Sequence, residues 1–343
     1  MADTLRFAVL GAGRIGSLHT ELLSTRVPQA DVVAVADIYS EAAHKLADRF
    51  GIAGRGTSVD ELLDQHRPDV LLVCSSTDTH EAAILKCAEA GVDVFVEKPL
   101  APDIAAIERI RSAVEESGIY LQVGFNRRFD ASYARVNTAI RGGEVGTLHS
   151  VRLISRDPEM PPVEYLANSG GLFMDMAIHD FDMVRFLVDE EPREVYAFGE
   201  RLIDSRLEQY DDIDSAVTTL RFPSGAFATI ENSRQAVFGY DQRAEAFGSG
   251  GMASTDNVYP NSATLSGPGG ISRDLPLRFF LERYEASYLR ELEALCRAVR
   301  DRADAPVNTI DGRESVVLAM AAERSRKTGR PVSMAEFRLE IGL

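Results

Sequence analysis

Gly11-Ala12-Gly13-Arg14-Ile15-Gly16 is the first stretch of this chain whose residue types and spacing could do chemistry. It follows an apolar, β-rich run directly and opens a helix-forming segment. Glycines at its first, third and sixth positions permit a tight turn, close approach of backbone to a pyrophosphate, and close packing of helix on strand. The helix start at Arg14 and Ile15 offers backbone donors to phosphates. Asp37 ends the run Val-Val-Ala-Val-Ala-Asp, 21 residues after Gly16. A carboxylate there can accept from both hydroxyls of a ribose and repel a 2′-phosphate. No basic residue follows in Ile38-Tyr39-Ser40, so the pattern selects NAD over NADP. The plainer alternative is that the glycines only shape a turn and Asp37 caps a helix beginning near Ser40. Ligands of open α/β sheets sit beyond the carboxyl ends of the strands. Two further strand ends, Ser75-Ser76-Thr77-Asp78-Thr79-His80 and Glu97-Lys98-Pro99, should therefore reach the same crevice. Ser75, Ser76, Thr77, His80 and Glu97 are expected cofactor contacts, and Lys98, fixed by the proline after it, is a candidate for more than solvation.

These residues need a frame. The first third alternates short β-rich runs, at 5–10, 31–36, 70–74, 92–96 and 120–123, with helical segments at 14–24, 40–50, 79–90 and 104–117 and a short one at 60–64. That is the pattern of βαβ units on a parallel sheet. Ser58 with Glu61, and Asp78 with Glu81, have the spacing of reciprocal helix caps. After Gly124 the texture changes to period two at 150–154, 216–222, 226–230 and 243–247. Phe222-Pro-Ser-Gly-Ala226 reads as a hairpin turn, so a largely antiparallel sheet is expected. Helices are expected at 171–188 and 279–300, and the Gly-, Ser- and Pro-rich 262–273 as a surface loop. The chain should divide into a dinucleotide-binding domain, 1–123, and a substrate domain, 124–343, with a ligand in the cleft between them.

With 53 acidic against 37 basic residues among 343, a formal net charge of −16, and no Lys/Arg tract, the chain would repel nucleic acid and anionic membrane surfaces. Small molecules are the expected partners. No apolar run is long enough for a membrane span, and no basic region precedes an apolar leader. Cys74, Cys87 and Cys296 are odd in number and lack C-x-x-C spacing, which points to a reducing, cytoplasmic compartment.

The fingerprint at 11–16, Glu97-Lys98-Pro99, Gly124-Phe125-Asn126-Arg127-Arg128-Phe129-Asp130 and Gly170-Gly171-Leu172-Phe173-Met174-Asp175-Met176-Ala177-Ile178-His179-Asp180 together resemble the glucose-fructose oxidoreductase / inositol dehydrogenase / rhizopine-catabolism (Gfo/Idh/MocA) family. Their order and spacing run through nearly the whole chain. Ser155-Arg156-Asp157-Pro158, Asn232-Ser233-Arg234-Gln235-Ala236, Gly239-Tyr240-Asp241-Gln242-Arg243 and Phe279-Phe280-Leu281-Glu282-Arg283-Tyr284 are similar to its bacterial inositol 2-dehydrogenase branch. Asp78 departs from the pattern, since many relatives carry proline there. The resemblance implies an α/β protein: an N-terminal Rossmann domain and a C-terminal α+β domain built on a large, mostly antiparallel, open-faced sheet. It also implies a homotetramer formed through that sheet. The implied activity is NAD-dependent oxidation of a secondary hydroxyl of myo-inositol, or else of another cyclitol or sugar. A noncatalytic NAD-dependent sugar sensor is the alternative from a different class. The resemblance further implies that Lys98, Asp175 and His179 are catalytic and touch substrate, and that Arg127, Asp157, Tyr240 and Tyr284 contact cofactor or substrate.

The residue chemistry suits that activity. Asp175 and His179 are spaced i, i+4 and share one helix face. An imidazole titrates near neutrality and can take a hydroxyl proton, worth roughly 10²–10⁴ in rate. Lys98 as a cation would stabilise a developing alkoxide, and Asp175 would orient the imidazole or bind a neighbouring hydroxyl. The plainer alternative for Asp175 and His179 is a surface ion pair. No metal is expected, because catalytic zinc usually takes three protein ligands and no third is evident. His19, His44, His66 and His149 read as surface or core residues, and Met174, Met176 and Met183 as packing.

Overall fold

In the computed structural model, which describes residues 4–167 and 169–343, the apolar runs of the first third pair into one parallel sheet. Its strands are β1 (Leu5–Leu10), β2 (Ala30–Ala36), β3 (Gly54–Gly56), β4 (Val70–Val73), β5 (Asp93–Glu97) and β6 (Leu121–Gly124), in the order β3-β2-β1-β4-β5-β6. Chain order reverses between β1 and β4, and a crevice at that reversal is where such sheets bind ligands. All four residues of β4 are buried, as expected of a central strand covered on both faces. Helices Arg14–Arg26, Ser40–Phe50, His80–Ala90 and Ile104–Ser117 fall within two residues of the expected segments. The reciprocal caps are less regular. Ser58 Oγ accepts from the Glu61 N–H at 3.3 Å, but the Glu61 carboxylate takes the Thr57 N–H at 2.6 Å. The Asp78–Glu81 box does not form: a Thr77–Thr79 turn precedes the helix, and Arg109 claims the Glu81 carboxylate with two donors.

The second sheet contains β7 (Leu148–Arg156), β8 (Glu194–Glu200), β9 (Ser215–Arg221), β10 (Phe227–Ser233), β11 (Asp241–Gly248), β12 (Gly251–Ser254) and β15 (Val332–Ser333), ordered β12-β11-β7-β10-β9-β8-β15. All its pairings are antiparallel except β10 with β7. The expected turn joins β9 to β10: the Phe222 N–H donates to the Ala226 carbonyl at 2.9 Å, and Gly225 sits at φ +93°. Val151, Leu153, Val195, Ala197, Leu220, Ala228, Ile230, Ala244 and Ala246 form the buried face. Phe198, Phe227, Phe247 and Met252 lie exposed. The sheet is thus open-faced.

Two features correct the sequence reading. Residues 262–273, expected as a surface loop, lie exposed but hold an antiparallel hairpin, β13 (Thr264–Gly267) with β14 (Gly270–Arg273), turned at Gly-Pro-Gly-Gly. The helix expected at 171–188 begins as a π-helical turn, Phe173–Ala177, before the α-helix Ile178–Val188.

The chain forms two compact units, one containing residues up to Asn126 together with Ala286–Glu314, the other Arg127–Glu285 with Ser315–Leu343. The segment after Ala286 belongs with the first sheet for a packing reason. Leu292, Leu295, Cys296 and Val307 are buried there, the Val307 carbonyl accepts from the Val123 N–H at 3.0 Å, and Gly312 lies against Leu100 and Val123. Among the described residues no helix is long and apolar enough to cross a membrane.

Candidate active site

In the first unit the fingerprint has the form its glycines require. Gly11 lies at φ +103°, and a Cβ there would come within 2.6 Å of the Cys74 backbone. A Cβ at Gly16 would meet the Gly11 carbonyl oxygen at 1.9 Å, so helix and turn could not approach as they do. At Gly13 a Cβ would meet nothing within 4 Å; this side of the turn is open. Gly13 is also the N-cap of helix Arg14–Arg26 and supplies no side-chain cap, which leaves that helix end to a ligand's phosphates. Asp37 Oδ2 accepts from the Ala12 N–H at 2.7 Å and Oδ1 from the Tyr39 N–H at 2.9 Å. The cap of helix Ser40–Phe50 is Tyr39, so Asp37 ties the end of β2 to the fingerprint instead of capping the helix. Each carboxylate oxygen retains a second lone pair for a ribose hydroxyl. These residues fit a dinucleotide.

Ser75 and Thr79 share a hydroxyl hydrogen bond of 2.6 Å, and Thr79 donates to the Ser76 carbonyl, so the loop after β4 is closed on itself. Lys98 is half-buried, directly after β5, and its peptide bond to Pro99 is cis. His80 is 1% exposed, with Nδ1 3.0 Å from the Pro99 carbonyl and Nε2 3.2 Å from the Ser75 carbonyl. Burial pushes its pKa below the usual imidazole range. His19 is fully buried and its Nε2 lies 2.7 Å from Glu97 Oε1.

In the second unit Gly170 and Gly171 hold successive left-handed conformations, φ +81° and +85°, which bend the chain into the π-helical turn carrying Asp175. A turn closed by i→i+5 bonds is wider than an α-turn, and positions four apart still fall on one side of it. Asp175 is held at both oxygens: Tyr165 Oη donates to Oδ1 at 2.9 Å and Arg234 Nη1 to Oδ2 at 3.1 Å. Arg234 is 0% exposed and also faces Asp212 at 3.9 Å. His179 follows on the α-helix, half-buried.

Arg127 is deeply buried. Its Nη1 donates to Asp180 Oδ1 at 2.6 Å and its Nη2 to Ser155 Oγ at 3.2 Å, while Asn232 Nδ2 donates to Asp180 Oδ2 at 2.8 Å. Burial raises the Asp180 carboxyl, and the Arg127 charge opposes the rise. Tyr240 and Tyr284 stand edge to face, centroids 5.9 Å apart, and burial raises both phenols. Asp157 has its backbone pinned between Ser233 and Ala236. Its carboxyl is raised to about 6, first by burial; Arg234 opposes the rise and Asp175 adds to it. Sequence reading assigned no role to Tyr165, Asp180, Asp212 or Arg234. For Arg234 a signal existed: period two through β10 puts 228, 230 and 232 inward, and an arginine continuing that series at 234 is a charge sent into the interior. Among the described residues, no group of three or more His, Cys, Asp or Glu is placed to hold a metal ion.

A parallel sheet with this fingerprint, joined in one chain to a mostly antiparallel sheet, defines an oxidoreductase with an NAD-binding Rossmann domain. Residues 5–125 match the model of that oxidoreductase family, and residues 133–254 match the GFO/IDH/MocA C-terminal domain. The chain belongs to the Gfo/Idh/MocA family. It is 40% identical over 332 residues to the myo-inositol 2-dehydrogenase of Thermotoga maritima, covering 97% of this chain and 99% of that one. It is 35% identical over 343 residues to the scyllo-inositol 2-dehydrogenase (NAD(+)) of Bacillus subtilis, covering 100% of both. A solved myo-inositol dehydrogenase from Corynebacterium glutamicum superimposes with a TM-score of 0.92 at 37% identity, covering 96% of this chain and 98% of that one.

Proposed function

We propose that this protein oxidises a secondary hydroxyl of myo-inositol to the ketone, as an NAD-dependent inositol 2-dehydrogenase. The observation that carries the reading is the presence of Lys98, Asp175 and His179 in a chain that is 40% identical to a myo-inositol 2-dehydrogenase across 97% of its length. When bound, NAD supplies the hydride acceptor. The chain must then supply a proton acceptor and a counter-charge for the alkoxide. His179 is the acceptor: a neutral imidazole takes the hydroxyl proton as the carbonyl forms. Lys98 holds positive charge toward the same oxygen. Asp175, fixed by Tyr165 and Arg234, is a rigid acceptor one turn before His179. Gly11, Gly13, Arg14, Ile15, Gly16, Asp37, Ser75, Ser76 and Thr77 are assigned to the cofactor, and Asp157, Tyr240 and Tyr284 to the polyol, with Arg127 holding their surroundings through Asp180 and Ser155.

The three cysteines are free and buried, which supports a reducing cytoplasm, and the exposed Phe198, Phe227, Phe247 and Met252 on the second sheet support a homotetramer. The test is NADH formation with myo-inositol, scyllo-inositol, other cyclitols and hexoses in one panel. Myo-inositol should give the highest kcat/KM, and His179→Ala should lose at least about 10² in kcat with NAD still bound. Preference for scyllo-inositol or glucose by more than about tenfold, roughly 1.4 kcal/mol in transition-state binding, would overturn the substrate assignment.

A further inference from the structure

We propose that His19 and His80 are positioning residues for Lys98, holding its peptide from either side; the proposal rests on the reading of Lys98 as the charge that meets the substrate hydroxyl. Neither histidine is spent on solvent or on packing alone. His19 lies three residues past the last fingerprint glycine, and its ring stands edge-on to Phe95 and Tyr288 at centroid distances of 5.1 and 5.6 Å. An ionised carboxylate only accepts, so Nε2 carries the hydrogen and donates to Glu97 at 2.7 Å. Nδ1 is then buried with no hydrogen-bond partner among the described residues. Packing alone would favour a leucine or phenylalanine there, which leaves no ring nitrogen unsatisfied. What the imidazole adds is its grip on Glu97, the last residue of β5 and the one before Lys98. Gly124 on β6 makes room for that carboxylate: a Cβ there would come within 3.1 Å of it.

His80 works from the other side. Pro99 has no N–H, so its carbonyl is the one backbone polar group by which it can be held. The two carbonyls facing His80 only accept, and burial favours the neutral ring, which has a single N–H. The shorter contact, 3.0 Å from Nδ1 to the Pro99 oxygen, assigns that hydrogen to Pro99. With its one N–H on the Pro99 carbonyl and the ring buried, His80 acts through the Lys98–Pro99 backbone and not by touching the dinucleotide. A lysine head on a flexible stem can be aimed only if its own backbone is fixed, and a misplacement of about 1 Å can cost about 10²-fold.

The experiment is a double-mutant cycle in the full-length protein, measuring NAD dissociation constant, kcat, KM for myo-inositol and thermal midpoint. His19→Leu should lower kcat about 10- to 100-fold with NAD affinity within about threefold of the parent. His19→Gln, whose amide can still donate to Glu97, should recover most of it. His80→Asn, which keeps a donor near the Nδ1 position, should stay within a few-fold of the parent, whereas His80→Leu should not. In a Lys98→Met background the further loss from His19→Leu or His80→Leu should vanish, because nothing remains to be aimed. A loss that persists at full size in that background, or an NAD affinity that falls in step with kcat, would mean that the histidines support the fold or the cofactor, and the proposal fails. If Lys98→Met itself keeps full activity, the assignment of Lys98 fails first and this proposal with it.

Discussion

At the scale of single residues, the second unit concentrates charge where water is scarce, and Asp157 is the residue that most clearly registers it. Its carboxyl is raised to about 6 from an ordinary value of 3.8. The folded protein therefore holds that proton more tightly than the unfolded chain does. The stability Asp157 contributes is fully present below about pH 3.8 and is lost as pH rises through about 6. At neutral pH the ionised group is a net cost. The full shift would be worth about 3 kcal/mol, but part of the side chain is open to water, so about 2 kcal/mol is expected. Asp157→Asn keeps the shape and removes the charge. Its thermal midpoint should match the parent near pH 4 and exceed it near pH 8, by about 4 °C. An offset of equal size at both values would show that packing, not ionisation, sets the difference. The residue types at 98, 175 and 179 were legible because they sit in compact motifs. Arg234 was not, since its partners Asp175 and Asp212 lie 59 and 22 residues away in sequence and only folding brings them together.

At the scale of elements, the parallel sheet was read almost to the residue, because five of its six strands are buried apolar runs punctuated by helix signals. β3, three residues with two glycines, carried no such signal. The antiparallel sheet was harder. β8 runs Glu-Val-Tyr-Ala-Phe-Gly-Glu, and its outward positions are the apolar Tyr196 and Phe198, so alternation of polar and apolar residues is erased on the very strand that forms the open face. The β2 end shows how an element carries specificity. Asp37 holds the fingerprint through Ala12 while keeping acceptor capacity for a ribose, and Ile38 beside it is 77% exposed. Asp37→Ala should weaken NAD by removing the acceptor and by loosening the turn, a loss of about 1–2 kcal/mol. Adding Ile38→Arg gives a 2′-phosphate a partner and should swing the kcat/KM ratio toward NADP. Both cofactors should be compared at fixed ionic strength, because exposed charge pairs weaken with salt. A double variant with an unchanged ratio would leave Asp37 as a turn-forming residue only.

At the scale of the whole molecule, a formal charge of −16 on each chain opposes self-association, so an assembly needs attractive surface to offset it. The outer face of the second sheet offers it. Phe198, Phe227, Phe247 and Met252, on β8, β10, β11 and β12, are 55, 51, 46 and 57% exposed. Large apolar side chains left exposed on one face of a sheet mark an interface more often than chance. Covering a half-exposed phenylalanine contributes on the order of 1 kcal/mol, and the face presents several. Charges of both signs on the same face, Arg152 and Glu231 among them, can pair across a symmetric contact. We expect Phe227→Glu with Phe247→Glu to place unpaired carboxylates on that face and to lower the sedimenting mass below that of the proposed tetramer. NAD affinity should be retained, because the fingerprint, Asp37 and their supporting strands all belong to the first unit. A parent that sediments as a single chain would remove the tetramer, and a variant that still sediments as four would move the interface off this face.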